Sequence, residues 1–235
     1  MNTVLFSTAA SIAIIHTAIG VDHYIPFVAM SKANKWSFLK TMVVTFVCGL
    51  GHVLSSVVLG LAGIWLGSQI SHLVGIENFR GEIAVWFLIA FGVIYIAWGI
   101  RKAVKNKPHK HISSDGKEVW HNHNHCDHDS EQAEAHSQKT RISRSFWPLF
   151  ILFVLGPCEP LIPLLMYPAA ENSPLSVAAV AVIFSVCTIA TMLFCVTVVL
   201  KGVNMIPIKR MERHSHALAG FAILMCGMAI QFLGI

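Results

Sequence analysis

The chain has 235 residues, of which 55% are hydrophobic and only 12% are charged, and its formal net charge is +5. A soluble domain carries about a quarter charged residues, so this composition excludes an ordinary soluble globular protein. The basic excess does not indicate nucleic-acid binding, because the basic residues flank apolar segments and form no domain of their own.

Six apolar segments are long enough to cross a hydrocarbon core about 30 Å thick, which a helix of about 20 residues spans. They predict an all-α, polytopic membrane protein. In chain order the predicted spans are Val4–Met30, Thr41–Leu66, Ile83–Ile100, Phe146–Ala170, Leu175–Leu200 and Ala217–Ile235. Neither a basic segment nor a small-residue cleavage site precedes the first span, so we expect it to be retained rather than removed as a signal peptide.

The distribution of basic residues predicts the orientation of these spans. Of the 17 lysines and arginines, all but Arg80 fall in alternate loops. Loops that carry such an excess face the cytoplasm, which would place both termini outside a bacterial-type inner membrane.

A long hydrophilic segment divides the spans into two sets of three. The predicted organisation is a three-helix half at 1–100, a loop at 101–145 and a second half at 146–235. An odd number of spans reverses the second half relative to the first, as in the inverted repeats of many secondary transporters. We therefore expect two inverted three-helix repeats.

Asp22 and Glu159 are the acidic residues that these predicted spans contain, and each lies in the first span of its half. Both are close to glycine or proline residues that interrupt helices. Broken helices at matching positions point to a transport site near the bilayer midplane. The alternative is that the prolines only kink packed helices.

Two histidines, His16 and His23, lie close to Asp22 in the first predicted span. Placing an imidazole or a carboxylate in the hydrocarbon core of a membrane costs free energy. On an unbroken helix His16 and His23 would lie about 10 Å apart along the axis, too far for one metal ion. Either Gly20 allows local unwinding or the two histidines mark successive positions on a path. His52 adds an imidazole from the second span, although a lone histidine can simply hydrogen-bond a neighbouring helix. Imidazole and carboxylate ligands suit Ni²⁺, Co²⁺ or Zn²⁺.

The pattern of His16 with Asp22-His23, followed by Leu50-Gly51-His52, resembles the nickel/cobalt transporter superfamily (NiCoT, NicO and UreH-like proteins, within the LysE-type superfamily). The resemblance implies secondary transport of a divalent metal by alternating access, with nickel or cobalt favoured and zinc possible. The metal would be the substrate, with no tightly bound cofactor and no enzymatic activity. The implied path comprises His16, Asp22, His23, His52, Cys158 and Glu159. The broader superfamily also leaves export of sulfite or an organic anion open.

The loop at 101–145 is rich in histidine and is otherwise polar, so we expect it to be disordered without a ligand. Its candidate metal-buffering residues are His121, His123, His125, Cys126 and His128. The alternative is a solvated linker with incidental histidines. A cytosolic metallochaperone and a second copy of the chain are possible partners, besides the metal ion and the lipid bilayer.

The segment LGPCEPLIP, residues 155–163, supports a different function. A cysteine flanked by prolines resembles the membrane domain of CcdA/DsbD-type proteins, which pass electrons through two such cysteines. The first half has no matching Pro-Cys pair, and Cys48 in the second span is a poor counterpart to Cys158. A thiol–disulfide electron carrier is therefore the alternative to a metal transporter.

Overall fold

The structure, a computed structural model, describes residues 2–67, 70–105, 109–112, 118–121, 146–156, 158, 160–171, 173–205 and 214–233. Within these ranges the chain is predominantly helical, as expected. The helices are α1 (Asn2–Ile19), α2 (Ile25–Ala33), α3 (Phe38–Trp65), α4 (Ile70–Lys105), α5 (Phe146–Leu155), α6 (Leu161–Ala170), α7 (Pro174–Met205) and α8 (Ser215–Leu233). A short 3-10 turn, Val21–His23, lies between α1 and α2.

Four helices contain segments that are long and apolar enough to cross a membrane. These segments are Phe38–Trp65, His72–Val104, Pro174–Asn204 and Ser215–Leu233. Helix α1 and the segment Val21–Ala33 form a further apolar unit, bent by 82° where they meet. Large apolar side chains such as Trp65 and Leu175 lie exposed on these helices, which suits contact with lipid. The chain is a multi-pass membrane protein.

The first and fourth predicted spans are broken in the structure, which agrees with the helix-interrupting glycine and proline residues near Asp22 and Glu159 in the sequence. The fourth predicted span, Phe146–Ala170, is divided into the short helices α5 and α6, neither of which has the about 20 residues that a crossing needs. The connecting sequence contains Pro157 and Pro160. Proline has no backbone N–H to donate, so it interrupts the helical hydrogen-bond ladder.

The third predicted span also differs from the structure. Helix α4 begins at Ile70, thirteen residues before the predicted start at Ile83, and continues to Lys105. Arg80, assigned to a loop from the sequence, therefore lies within the helix together with the buried Glu77. Asp22 and Glu159 were expected to be the acidic residues within the spans. Glu77 is a further acidic residue, because it lies within the apolar helix α4.

A short hairpin lies within the segment expected to be disordered. Strands β1 (His109–Ile112) and β2 (Glu118–His121) pair antiparallel, with His109 opposite His121. For His121, the predicted metal-buffering residue in this hairpin, the structure gives the backbone position in β2. The other predicted buffering residues, His123, His125, Cys126 and His128, lie outside the described residues.

Each half of the chain packs mainly against the other half. Helix α1 contacts α7, α2 contacts α8, and α6 contacts both α3 and α4. The long helices pair as α3 with α7 and α4 with α8. At the α4–α8 interface, a Cβ added to Gly92 would lie 2.7 Å from the Leu224 nitrogen, and one added to Gly220 would lie 2.6 Å from the Ile96 nitrogen. Small residues thus let the two backbones approach closely, as in other membrane helix pairs.

Candidate functional site

The first break, residues 20–24, lies between α1 and α2. Gly20 has an extended conformation (φ −67°, ψ 96°), and its carbonyl accepts the His23 backbone N–H at 3.1 Å. A Cβ added to Gly20 would lie 2.5 Å from His23 Nδ1, so the glycine makes room for the imidazole. Pro26 follows in the first turn of α2, where a missing N–H costs no helical hydrogen bond. The chain therefore turns sharply and keeps His23 inside the protein.

The hydrogen bonds of His23 and His52 define which ring nitrogen carries the proton. His23 Nδ1 lies 3.0 Å from Asp22 Oδ1 and 3.2 Å from the Gly20 carbonyl oxygen. His52 Nδ1, on α3, lies 3.1 Å from the carbonyl oxygen of Phe153 at the end of α5. A carbonyl or carboxylate oxygen only accepts, so in each ring Nδ1 donates. In the neutral rings, both Nε2 atoms consequently present a lone pair.

His16, His23 and His52 form a row of imidazoles. The ring centroids of His16 and His23 are 5.2 Å apart, and those of His23 and His52 are also 5.2 Å apart. The Nε2 atoms of all three rings are buried, and the described part of the chain offers none of them a hydrogen-bond partner. His23 and His52 are each only 3% exposed. Leaving a buried polar atom without a partner costs about 1–3 kcal/mol, so the row is suited to a ligand that accepts nitrogen lone pairs.

A cavity of about 620 Å³ lies beside this imidazole row. Its polar wall is formed by His16, Asp22, His23 and His52, together with Asn78 and Glu82 of α4. Leu88, Phe153 and Ile230 contribute apolar surface. The cavity thus joins both halves of the chain around the histidines.

The structure brings together four of the six residues of the sequence-predicted path. The axial separation of about 10 Å expected on an unbroken helix does not apply to His16 and His23, because the break at Gly20 brings their rings together. Cys158 packs in a different part of the core, with Ala9 and Ala13. Glu159 lies outside the described residues. Among the described residues, no set of three or more His, Cys, Asp or Glu side chains has an arrangement that could hold a metal ion.

The second break, between α5 and α6, is organised by α4. Glu77, only 1% exposed, accepts hydrogen bonds from Ser56 Oγ at 2.6 Å and from the Cys158 backbone N–H at 3.1 Å. Arg80 Nη1 lies 2.5 Å from Glu77 Oε2. Arg80 Nη2 donates to the carbonyl oxygen of Val154 at 2.9 Å and to that of Gly156 at 3.4 Å. The pair therefore satisfies backbone groups that the end of α5 leaves without helical partners.

Sequence reasoning missed this ion pair. Glu77 and Arg80 are three residues apart, which places them on the same face of a helix. That spacing could have indicated an ion pair on a helix. However, the two residues precede the most apolar part of α4, in a stretch whose polar composition is typical of a loop. Their partners Ser55 and Ser56 belong to α3, and no sequence pattern connects the two helices.

The described cysteines are dispersed through the core. Cys48, Cys158, Cys187, Cys195 and Cys226 form no disulfide with one another. Cys48 belongs to the core cluster around Phe27 and Met192, whereas Cys158 lies in the cluster around Phe184. Within the described residues, the first break contains Asp22 and His23 where the second contains Cys158.

Comparison with known proteins identifies a family for this chain. A family model described as the cytochrome C biogenesis protein transmembrane region matches residues 24–229, which is most of the chain. No curated protein and no solved structure matches it at a significant level. The match overturns the resemblance to the nickel/cobalt transporter superfamily, which was wrong. It includes His52 and Cys158 but begins after His16, Asp22 and His23.

Proposed function

We propose that this chain, which belongs to the cytochrome C biogenesis transmembrane-region family, is a thiol–disulfide electron carrier of the CcdA/DsbD type. The family match over residues 24–229 is the observation that carries the proposal. It replaces nickel or cobalt transport as the main interpretation. Cys158, at the break between α5 and α6, is the membrane thiol that we assign to this chemistry.

One membrane thiol is sufficient when the electron donor is a dithiol. The Cys158 thiolate attacks the disulfide of an acceptor, which forms a mixed disulfide and releases one acceptor thiolate. A thiolate of the donor then attacks the Cys158 sulfur and releases the second acceptor thiol. The remaining donor thiol displaces Cys158, and the donor leaves as a disulfide. Two electrons and two protons pass from the donor dithiol to the acceptor.

This chemistry requires the buried Cys158 to become accessible to its partners. Its surroundings suit such a movement, because the two short helices beside it are joined by a break rather than by a continuous span. We propose that the halves form an inverted repeat that alternates access to the two faces of the membrane. The packing of α1 and α2 on the second half, and of α6 on the first, supports this arrangement.

The test is electron transfer across a sealed membrane. The full chain is reconstituted in proteoliposomes with a thioredoxin-type dithiol and its reducing system outside and an oxidised dithiol reporter inside. We expect reporter reduction to depend on the protein and to be abolished by Cys158→Ser. Cys195→Ser, in the partly buried middle of α7, makes the same chemical change away from the break and should retain transfer.

Trapping provides an independent measurement of the same step. In the presence of the oxidised acceptor, Cys158 forms a mixed disulfide with it, and a donor that has only one cysteine displaces the acceptor thiol from Cys158. That donor cannot resolve the new disulfide, so it should accumulate covalently on the wild-type chain and on Cys195→Ser. The Cys158→Ser variant should give no adduct. Normal reporter reduction by a correctly inserted Cys158→Ser protein would refute the assignment.

A second candidate function, binding of a transition-metal ion, is favoured by the Nδ1 hydrogen bonds of His23 and His52. Histidines that bind metals usually donate their other ring N–H to a carboxylate or a backbone carbonyl, which is the bonding of these two rings. Their two buried Nε2 lone pairs would be the protein ligands, since no set of three described His, Cys, Asp or Glu side chains is arranged around one ion. Nickel, cobalt and zinc remain the ions to test, since imidazole suits all three.

Metal binding is measured on the purified full chain by equilibrium dialysis against Ni²⁺, Co²⁺ or Zn²⁺. We expect His23→Ala and His52→Ala each to remove a tightly bound equivalent, whereas His72→Ala, on the exposed part of α4, should not. An unchanged stoichiometry in the His23 and His52 variants would exclude this site. Because the readout is bound metal, it is independent of electron transfer through Cys158.

A further inference from the structure

Two buried threonine hydroxyls have no hydrogen-bond partner within the described residues. They are Oγ1 of Thr17, near the end of α1, and Oγ1 of Thr188, in the middle of α7. Both residues are 0% exposed. Among the described side chains, the remaining buried atoms of this kind are the Nε2 atoms of the imidazole row. A buried hydroxyl without a partner lowers stability, so the two threonines are suited to binding a ligand that supplies one.

Other threonines of the membrane helices satisfy their hydroxyls within their own helix. Thr45 donates to the carbonyl four residues earlier at 2.8 Å, and Thr191 and Thr197 do the same at 2.7 Å. This is the usual bond of a threonine inside a helix. Thr17 and Thr188 are also helical, yet they do not form it. Their hydroxyls are therefore available to another partner.

The packing against α7 places both threonines at the first break. Ala13 of α1 shares a core cluster with Phe184 of α7, whereas Phe27 of α2 shares a cluster with Met192. Along the chain, α1 and then α2 thus follow α7 in the direction of its own sequence. Thr188 lies between Phe184 and Met192, so it is at the level where α1 ends and α2 begins. The other threonine directly precedes that break.

The end of α1 also leaves a buried main-chain carbonyl without a donor. Gly20 has a ψ of 96°, so the chain leaves the helix there. The N–H groups of His23 and Tyr24 donate to carbonyls within the break itself. In the described part of the chain, no backbone N–H donates to the Thr17 carbonyl. Because Thr17 is fully buried, this oxygen lacks the solvent contact that usually satisfies the last carbonyls of a helix.

These three oxygens suit a monovalent cation. The carboxyl end of α1 is the negative end of its helix dipole, which favours a positive charge. In transporters with broken helices, such half-helix ends coordinate Na⁺ near the bilayer midplane. The oxygens are two hydroxyls and a carbonyl, whereas calcium sites are usually built with carboxylates. A buried water molecule is the alternative occupant, but it has no charge to interact with the dipole.

We propose that Thr17 and Thr188 bind a sodium ion where α1 ends. The ion would interact with both hydroxyls and with the Thr17 carbonyl. Ile19 and Gly20 line the cavity beside the imidazole row, which has room for water molecules that complete the coordination. A bound ion would hold α1 to α7 at the first break. The proposal is separate from electron transfer through the membrane thiol and from transition-metal binding by the histidines.

The first experiment measures thermal unfolding of the purified full chain in a neutral detergent. Sodium chloride and choline chloride are compared at constant ionic strength, with EDTA present to remove transition metals. We expect Na⁺ to raise the Tm in a saturable manner, because it binds only the folded chain, and choline to have little effect. An equal rise with choline would be a general salt effect and would overturn the proposal.

Thr17→Val and Thr188→Val each remove a hydroxyl and retain a branched side chain. Each should weaken the apparent affinity for Na⁺ about tenfold, the usual effect of losing a polar contact to a charged group. Without Na⁺, each variant should unfold at the same temperature as wild type or higher, because valine leaves no buried hydroxyl unsatisfied. Thr45→Val is the matched control, since its equally buried hydroxyl already has a partner. It should not change the response to Na⁺.

Equilibrium dialysis of the full chain against radioactive Na⁺, again with EDTA, measures binding directly. We expect binding to wild type and to Cys158→Ser, and its loss in the double variant Thr17→Val/Thr188→Val. Because the result for Cys158→Ser does not depend on the thiol, failure of this site and failure of electron transfer are distinguishable. No bound Na⁺ in the wild-type chain, or an undiminished response to Na⁺ in both single threonine variants, would show that the hydroxyls hold water alone and would overturn the proposal.

Discussion

The two helix breaks occur at comparable places in the two halves, yet they are stabilised in different ways. In the first break, Asp22, His23 and Gly20 hydrogen-bond to one another within four residues of sequence. In the second, Glu77 and Arg80 reach the end of α5 and Cys158 from α4, across 74 to 81 residues of sequence. One break is closed by its own residues, and the other depends on a neighbouring helix.

This difference predicts where the protein is most vulnerable. A local turn retains most of its contacts when one side chain changes. A buried ion pair that also binds backbone carbonyls cannot lose one partner without leaving the other charge unpaired. The second break should therefore be far more sensitive to substitution than the first.

Arg80→Gln should have the largest effect on folding. It leaves the carboxylate of Glu77 buried without its cation and removes the donor to Val154 and Gly156. Breaking a buried pair in this way costs about 3–5 kcal/mol. The measurement is the free energy of unfolding in detergent by denaturant titration.

The control for this prediction is the double variant Glu77→Gln/Arg80→Gln. It removes both charges and retains amide groups that can still hydrogen-bond, so it should be more stable than Arg80→Gln alone. If the single variant loses less than about 1 kcal/mol, the pair behaves as a surface ion pair and the comparison fails.

Gly20→Ala should have an intermediate effect, because it acts on the geometry of the first break. The new Cβ would meet His23 Nδ1 and force the ring or the turn to move, at a cost of about 1–3 kcal/mol. Gly75→Ala is the matched control, since a Cβ there meets open space in the helix α4. It should stabilise the helix by up to about 1 kcal/mol. Unfolding of both variants in detergent distinguishes the two, and equal stability would show that Gly20 is replaceable.

Asp22→Asn should have the smallest effect. Its side chain is 37% exposed, and the asparagine oxygen can still accept the His23 Nδ1 hydrogen bond. We expect a loss below about 1 kcal/mol, typical of a partly exposed pair. The unfolding free energy, compared with that of Arg80→Gln, measures the difference between the breaks directly. A larger loss in Asp22→Asn than in Arg80→Gln would reverse the comparison.

Prediction from the sequence was most successful where the signal is local. Long apolar segments gave the helical membrane class, and Gly20 with Pro26 indicated the first break. The cluster of His16, Asp22 and His23 was visible because these residues lie within eight positions of one another. The functional interpretation of that pattern was wrong, because it led to the nickel/cobalt transporter superfamily, which the family match contradicts.

The amino-acid sequence alone was enough to establish that this chain crosses a membrane as helices, because the hydrophobicity of each segment is independent of its neighbours. Only the tertiary structure could establish that His52 joins His23 beside one cavity, or that Glu77 and Arg80 stabilise the break that carries Cys158. Those relations depend on how α3, α4 and α5 pack, and residues about 75 to 100 positions apart meet there. Helix periodicity specifies which residues share a face, whereas packing decides which faces meet.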